Sequence, residues 1–185
     1  MSYPFEVQWT VGPKRQVYAG RVRLFEHDVV LPDGSDSHYE VDESIPFAAA
    51  VLLADDRGLH LARQYRYPLR EWIFDLPGGA GEIGETPEAT ARRECREEFG
   101  VMISDLTPLG EFASNPGRTA WRTHLFLGRG LHWTGIDRAT PDETVHAVTV
   151  SVAEALLMLR DGEFIDPGLS IALARAHARS LLERV

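Results

Sequence analysis

Over its first third the chain alternates apolar and polar residues in short runs broken by proline, glycine and aspartate, a period of two that predicts antiparallel strands joined by tight turns. Arg21 to Leu31 reads as one strand. It stops at Pro32-Asp33-Gly34-Ser35, where proline presets one turn angle and glycine supplies a positive φ, and His38 to Asp42 follows as the second arm of a hairpin. Ala48 to Ala54 and Leu59 to Tyr65 flank Asp55-Asp56-Arg57-Gly58 and form a second hairpin. The first of these strands is apolar at nearly every position, which predicts burial on both faces at the centre of a sheet.

The period then changes. Thr86 is a candidate N-cap, Pro87 takes the first helical position, Glu88 lies in the first turn and Gly100 suits a left-handed C-terminal cap, so a helix spans about Pro87 to Phe99. Val152 to Arg160 and Leu169 to Val185 show helical spacing on either side of a break at Asp161-Gly162. No internal repeat or linker interrupts the chain. Strands, a central helix, more strands and terminal helices predict an α+β fold in which helices cover a mixed sheet.

Composition narrows the chemistry. The length of 185 residues suits one domain, and 44% hydrophobic with 25% charged residues suits a packed core. The net charge of −9 repels phosphate backbones and anionic lipid surfaces, so neither nucleic acid nor membrane is an expected partner. The first residues lack the basic start and apolar run of a signal peptide, no apolar stretch is long enough to span a bilayer, and a cytoplasmic location is expected. Cys95 is the single cysteine and cannot build a disulfide or a thiolate cage; the seven histidines lack paired spacing on any predicted helix. Oxygen ligands are therefore the ones to seek.

Glu94, Glu97 and Glu98 stand at i, i+3 and i+4 on the central helix, which places their carboxylates within a fan of about 100°. Arg93 offsets some of their repulsion, but a helical ion pair is worth only about 0.2–0.5 kcal/mol. A hard divalent cation such as magnesium, which takes carboxylates together with substrate phosphates, accounts for the cluster better. Ahead of the helix, Pro77-Gly78-Gly79-Ala80-Gly81 allows a tight backbone excursion, and the Gly78 carbonyl could reach the same ion. Ala91, Cys95 and Phe99 line a neighbouring stripe suited to burial against the sheet.

The run Gly79-Ala80-Gly81-Glu82-Ile83-Gly84-Glu85, seven further residues, and Arg93-Glu94-Cys95-Arg96-Glu97-Glu98-Phe99-Gly100-Val101 resembles a complete Nudix box. The resemblance implies an α/β/α sandwich with a mixed sheet and a magnesium-dependent cleavage of a diphosphate linked to another moiety, with manganese as a substitute ion. It assigns the metal to Glu94, Glu97, Glu98 and the Gly78 carbonyl. It places Glu85, Arg93 and Glu97 in the catalytic machinery, the first two as residues that hold the helix and its acids. Cys95 at the apolar box position is a mild departure. In relatives that hydrolyse ADP-ribose, a glutamate on a loop well after the box accepts the proton of the attacking water. Glu143 in Thr140-Pro141-Asp142-Glu143-Thr144 is the best match, with Asp142 as the fallback and an acidic turn as the plain structural alternative.

Outside the box the chain resembles the ADP-ribose pyrophosphatase branch. Tyr18 to Gly34 is similar to that branch's N-terminal hairpin, Arg63-Gln64-Tyr65-Arg66-Tyr67-Pro68 to its strand ahead of the box, and Pro116-Gly117 to its marker proline. This implies an N-terminal β extension over residues 1–45 that pairs two subunits into a homodimer, and a hydrolase domain over 46–185. It makes Arg66, with Arg63, Pro116 and Gly117, substrate-binding, Arg66 reaching across the dimer. A guanidinium suits that role because it grips phosphate and stacks on bases; a surface cation at a strand end is the alternative. Pro116-Gly117 also fits a purely structural type II turn. The branch has a glutamate where this chain has Trp121, a residue that stacks on a base or sugar or simply packs. The implied substrate is ADP-ribose, cut to AMP and ribose 5-phosphate. The alternatives are GDP-mannose, another nucleotide sugar or a dinucleoside polyphosphate and, from another class, a non-catalytic nucleotide-sensing module.

Overall fold

The computed structural model describes residues 8–134 and 145–183, which fall into two compact units. One comprises residues up to 46 together with 115–121; the other comprises 47–114 and the rest of the chain from 122.

In the first unit β1 (Thr10–Ala19), β2 (Arg23–Val30) and β3 (Asp36–Asp42) form an antiparallel sheet in that order. The hairpin expected at Pro32 to Ser35 joins β2 to β3 with Val30 opposite Asp36. Every residue of β1 is exposed. The 115–121 segment is tied to β3 through the Asp42 N–H, which donates to the Arg118 carbonyl at 2.8 Å, and the Tyr39 hydroxyl, which donates to the Gly117 carbonyl at 2.8 Å.

The second unit is built on a mixed sheet. Its strands are β4 (Ala48–Asp55), β5 (Gly58–Arg66), β6 (Glu71–Asp75), β7 (Gly78–Ala80), β8 (Val101–Phe112), β9 (Thr123–Trp133) and β10 (Val145–Val150). The order is β10-β5-β4-β9-β8, with β6 added to β5 and β7 to β4. All pairs are antiparallel except β4 with β9. β4 is central, as its apolar run predicts. Its odd positions Ala49, Val51 and Leu53 pack toward helix α1 (Pro87–Phe99) together with Ala91, Cys95 and Phe99. Its even positions Leu52 and Ala54 pack with Ala155, Leu169 and Leu173 of α2 (Val152–Asp161) and α3 (Pro167–Ala178). The period of two thus divides one strand between two helical layers.

Helix α1 has the boundaries that its caps encode. The Thr86 hydroxyl accepts from the Ala89 N–H at 3.2 Å, and Gly100 ends the helix at φ 59° with its N–H on the Arg96 carbonyl. The last helix departs from the sequence reading. It begins two residues earlier and stops at Ala178, well short of Val185, because Asp166 caps it from Pro167 onward and Ser180 turns out of the helix at φ 53°. The Leu181 N–H closes that turn on the Ala176 carbonyl at 2.9 Å. Gly117 does not adopt a positive φ, so Pro116-Gly117 is not the type II turn its composition allowed. The Arg118 and Thr119 N–H groups both bond the Asn115 carbonyl instead, a single helical turn.

Candidate active site

The site grows from the junction of β7 and α1. β7 runs against β4 with Gly78 opposite Ala50, so closely that a β-carbon on Gly78 would sit 2.3 Å from the Ala49 carbonyl oxygen. A β-carbon on Gly79 would meet the Glu94 carboxylate at 2.5 Å. Gly78 is therefore demanded by its approach to backbone, whereas at Gly79 a β-carbon would displace the helix carboxylate from its place.

Arg93 ties the loop to the helix. Its Nε and Nη2 donate to the two oxygens of Glu85 at 2.9 and 3.0 Å, and Nη2 also reaches the Ala80 carbonyl at 3.0 Å. Its Nη1 donates to Glu94 at 2.7 Å and Glu97 at 3.2 Å. One planar fork thus spaces two of the three helix glutamates. Glu85 also accepts the Glu82 N–H at 3.0 Å and the hydroxyl of the fully buried Thr90 at 2.8 Å. The bonds from Arg93 first, then those from Glu82 and Thr90, lower the Glu85 carboxyl to about 2. Since the folded value lies below the usual one, this contribution to stability is complete above the ordinary glutamate range and lost as pH falls toward 2. Glu85 is a saturated strut, ionised throughout the neutral range.

Glu98 faces β7, where it accepts the Gly78 N–H at 2.9 Å. Glu94 and Glu98 are half-buried, whereas Glu97 is 49% exposed at its side chain. The geometry is a graded fan in which Glu98 and Glu94 lie against the glycine strand and Glu97 stands farther out, with Cys95 and Phe99 turned into the core behind it. Hard carboxylate oxygens next to exposed backbone are the donor set that magnesium takes, so the residues present fit that ion. A separate group, Glu26, Asp28 and His38, brings its ligand atoms within 4.8 Å on the N-terminal sheet, but Arg15 pairs with Glu26 and His38 with Asp28 there.

The two arginines of β5 diverge. Arg63 lies with its guanidinium 4.5 Å from the Phe74 ring centre on the face covered by α2 and α3, as alternation along the strand requires. Arg66 has the opposite parity and donates to Asp75, which pairs in register with Ala62 of the α1-side core. Pro116, Gly117 and Trp121 belong to the unit of the N-terminal sheet, the first two exposed and Trp121 half-buried. Glu143 and Asp142 lie outside the described residues.

Three participants escaped the sequence reading: Thr90, Asp75 and Asp166. Each carried a signal. Thr90 stands four residues ahead of Glu94 on the glutamate stripe of α1, and Asp75 is the lone acid of the run Trp72-Ile73-Phe74-Asp75-Leu76-Pro77. Asp166 precedes Pro167 as an N-cap should.

Comparison with known proteins agrees with this architecture. The chain is 34% identical over 173 residues to an ADP-ribose pyrophosphatase of Bacillus subtilis (strain 168), spanning 92% of this chain and 93% of that protein. It is 32% identical over 163 residues to a methanol dehydrogenase activator of Bacillus methanolicus, covering 85% and 86% of the two. An ADP-ribose pyrophosphatase of Mycobacterium tuberculosis is 29% identical over 161 residues, covering 85% of this chain and 76% of that protein. The crystal structure of an ADP compounds hydrolase superposes with a TM-score of 0.82 over 98% of this chain and 100% of that one at 23% identity, a likeness of fold. The family model described as NUDIX domain matches residues 45–169, and the chain belongs to that family as a Nudix hydrolase of the ADP-ribose pyrophosphatase-like branch.

Proposed function

We propose that this hydrolase cleaves the diphosphate bond of a nucleoside diphosphate sugar, ADP-ribose first among them, to a nucleoside monophosphate and a sugar phosphate. The observation that carries the reading is the Arg93 fork, which fixes Glu94 and Glu97 beside the Gly78-bonded Glu98 against the glycine strand. Glu94, Glu97, Glu98 and the Gly78 carbonyl would hold magnesium, with manganese able to replace it. Bound there, the ion supplies positive charge for the diphosphate and a more acidic water. The remaining work belongs to the chain. Arg93 and Glu85 keep the carboxylates from collapsing outward, Arg66 grips a phosphate, and Glu143, with Asp142 as the alternative, accepts the proton of the attacking water.

The activities of relatives named ADP-ribose pyrophosphatase support this reading at 29% to 34% identity. Trp121, in place of the glutamate that the resemblance leads one to expect, favours a second group of substrates: GDP-mannose, another nucleotide sugar or a dinucleoside polyphosphate. A panel of diphosphates assayed by product identity separates the two. Glu98→Gln is expected to lower kcat by about a thousandfold or more while leaving the melting temperature within a few degrees. Full turnover in that variant would remove the helix from the mechanism.

A further inference from the structure

We propose that Asp75 is a positioning residue for Arg66: a buried carboxylate that fixes where the phosphate-gripping guanidinium stands, without itself touching substrate. This rests on the reading of Arg66 given above. Asp75 is 7% exposed, one of the few buried polar side chains among the described residues. A carboxylate in that setting needs partners on its oxygens. It has them. Oδ1 accepts the N–H of its neighbour Leu76 at 2.8 Å, and Oδ2 accepts from Arg66 Nη2.

The two bonds are unequal in what they fix. The first ties the carboxylate to the backbone of the segment that leads directly into β7, and β6 itself is locked to β5 from Arg66 opposite Glu71 to Ala62 opposite Asp75. Asp75 is thus rigid. Arg66 is the adjustable partner, with its side chain 46% exposed at the end of β5, where the chain turns away through Tyr67 and Arg70. The charges of Asp75 and Arg66 are also felt by Asp166, at the N-cap of α3.

Such an anchor has two consequences for binding. A long side chain already held in one rotamer loses less freedom when it meets an anion, which lowers the cost of association. One nitrogen of the fork is engaged by Asp75 while the guanidinium retains further N–H donors for phosphate oxygens. The pairing also neutralises a carboxylate that would otherwise repel a diphosphate three residues from Gly78.

A double-mutant cycle tests the proposal with Asp75→Asn, Arg66→Ala and their combination. Asp75→Asn keeps the acceptor for the Leu76 N–H and is expected to raise KM for the nucleotide sugar about tenfold with kcat within about threefold; in the Arg66→Ala background the same change adds less than about twofold. Asp75→Glu keeps the charge, and is expected to recover part of the lost affinity even if Asp75→Asn folds poorly. The same proteins are titrated calorimetrically with inorganic pyrophosphate and magnesium. That readout needs no turnover, so a wild-type enzyme that cleaves no nucleotide sugar defeats the functional reading while the cycle still judges Asp75. Effects that multiply in both measurements, or no recovery with glutamate, overturn the proposal.

Discussion

At the scale of single residues, the site depends on how closely backbone and carboxylate approach. Gly79 shows this best, because a methyl group there would collide with the end of a flexible side chain and not with backbone. The Glu94 carboxylate can swing away at little cost in stability, but it would leave the position that Arg93 Nη1 assigns to it. Gly79→Ala is therefore expected to shift the melting temperature by only a few degrees and to raise the magnesium concentration for half-maximal activity about tenfold, the scale of change seen when a ligand's support is lost. A magnesium titration of the purified variant checks this. An unchanged half-saturation point would mean that Glu94 has no part in holding the ion.

At the scale of elements, caps decide where the helices lie, and one cap also titrates. Asp166 accepts the Leu169 N–H at 2.7 Å at the start of α3. Its carboxyl is pushed up to about 6, first by burial and then by the charge of Asp75 on β6, while the backbone N–H of Leu169, the cation of Arg66 on β5 and the backbone N–H of Gly168 act the other way. The folded value lies above the unfolded one. The native state therefore holds a proton more tightly between about pH 4 and pH 6, and stability falls as pH rises through that window. Asp166→Asn keeps a capping oxygen without the charge. It is expected to be more stable than wild type above pH 6 by on the order of 1–2 kcal/mol and to lose the advantage near pH 4. Denaturant melts at the two ends of the window read the difference.

The same caps explain what was legible beforehand. Thr86, Pro87 and Gly100 bound α1 at its observed limits, and the two-sided burial of β4 followed from an unbroken apolar run. The far end of α3 was not legible, because its Ala-rich periodicity continues past Ala178 and only the turn at Ser180 interrupts it. The glutamate fan could be read because its spacing is local. The Arg66–Asp75 pair could not, because it depends on β6 folding back beside β5 in one register. Arg63 and Arg66, equivalent in a list of strand cations, were separated by strand parity once the layers were known.

At the scale of the whole molecule, the N-terminal sheet poses a problem of exposure. Among the described residues β1 pairs only with β2, and all ten of its residues are exposed, among them Val11 at 67%, Val17 at 49% and Tyr18 at 56%. An open strand of this length invites association unless it is disrupted or covered. The strand is irregular, with register shifts between Val11 and Lys14 and between Gln16 and Tyr18, and Lys14 and Arg15 lie between them. Such shifts twist an edge away from ladder pairing, which leaves the apolar side chains as the surface to be covered. A second copy of the chain supplies the same patch about a two-fold axis, the commonest way for a protein to close on itself. We therefore expect sedimentation at micromolar concentration to give twice the chain mass of 20.7 kDa, and Val11→Lys with Val17→Lys to return it to the single-chain value. A wild-type protein sedimenting as a monomer would leave β1 exposed in solution and remove the dimer from the account of substrate binding.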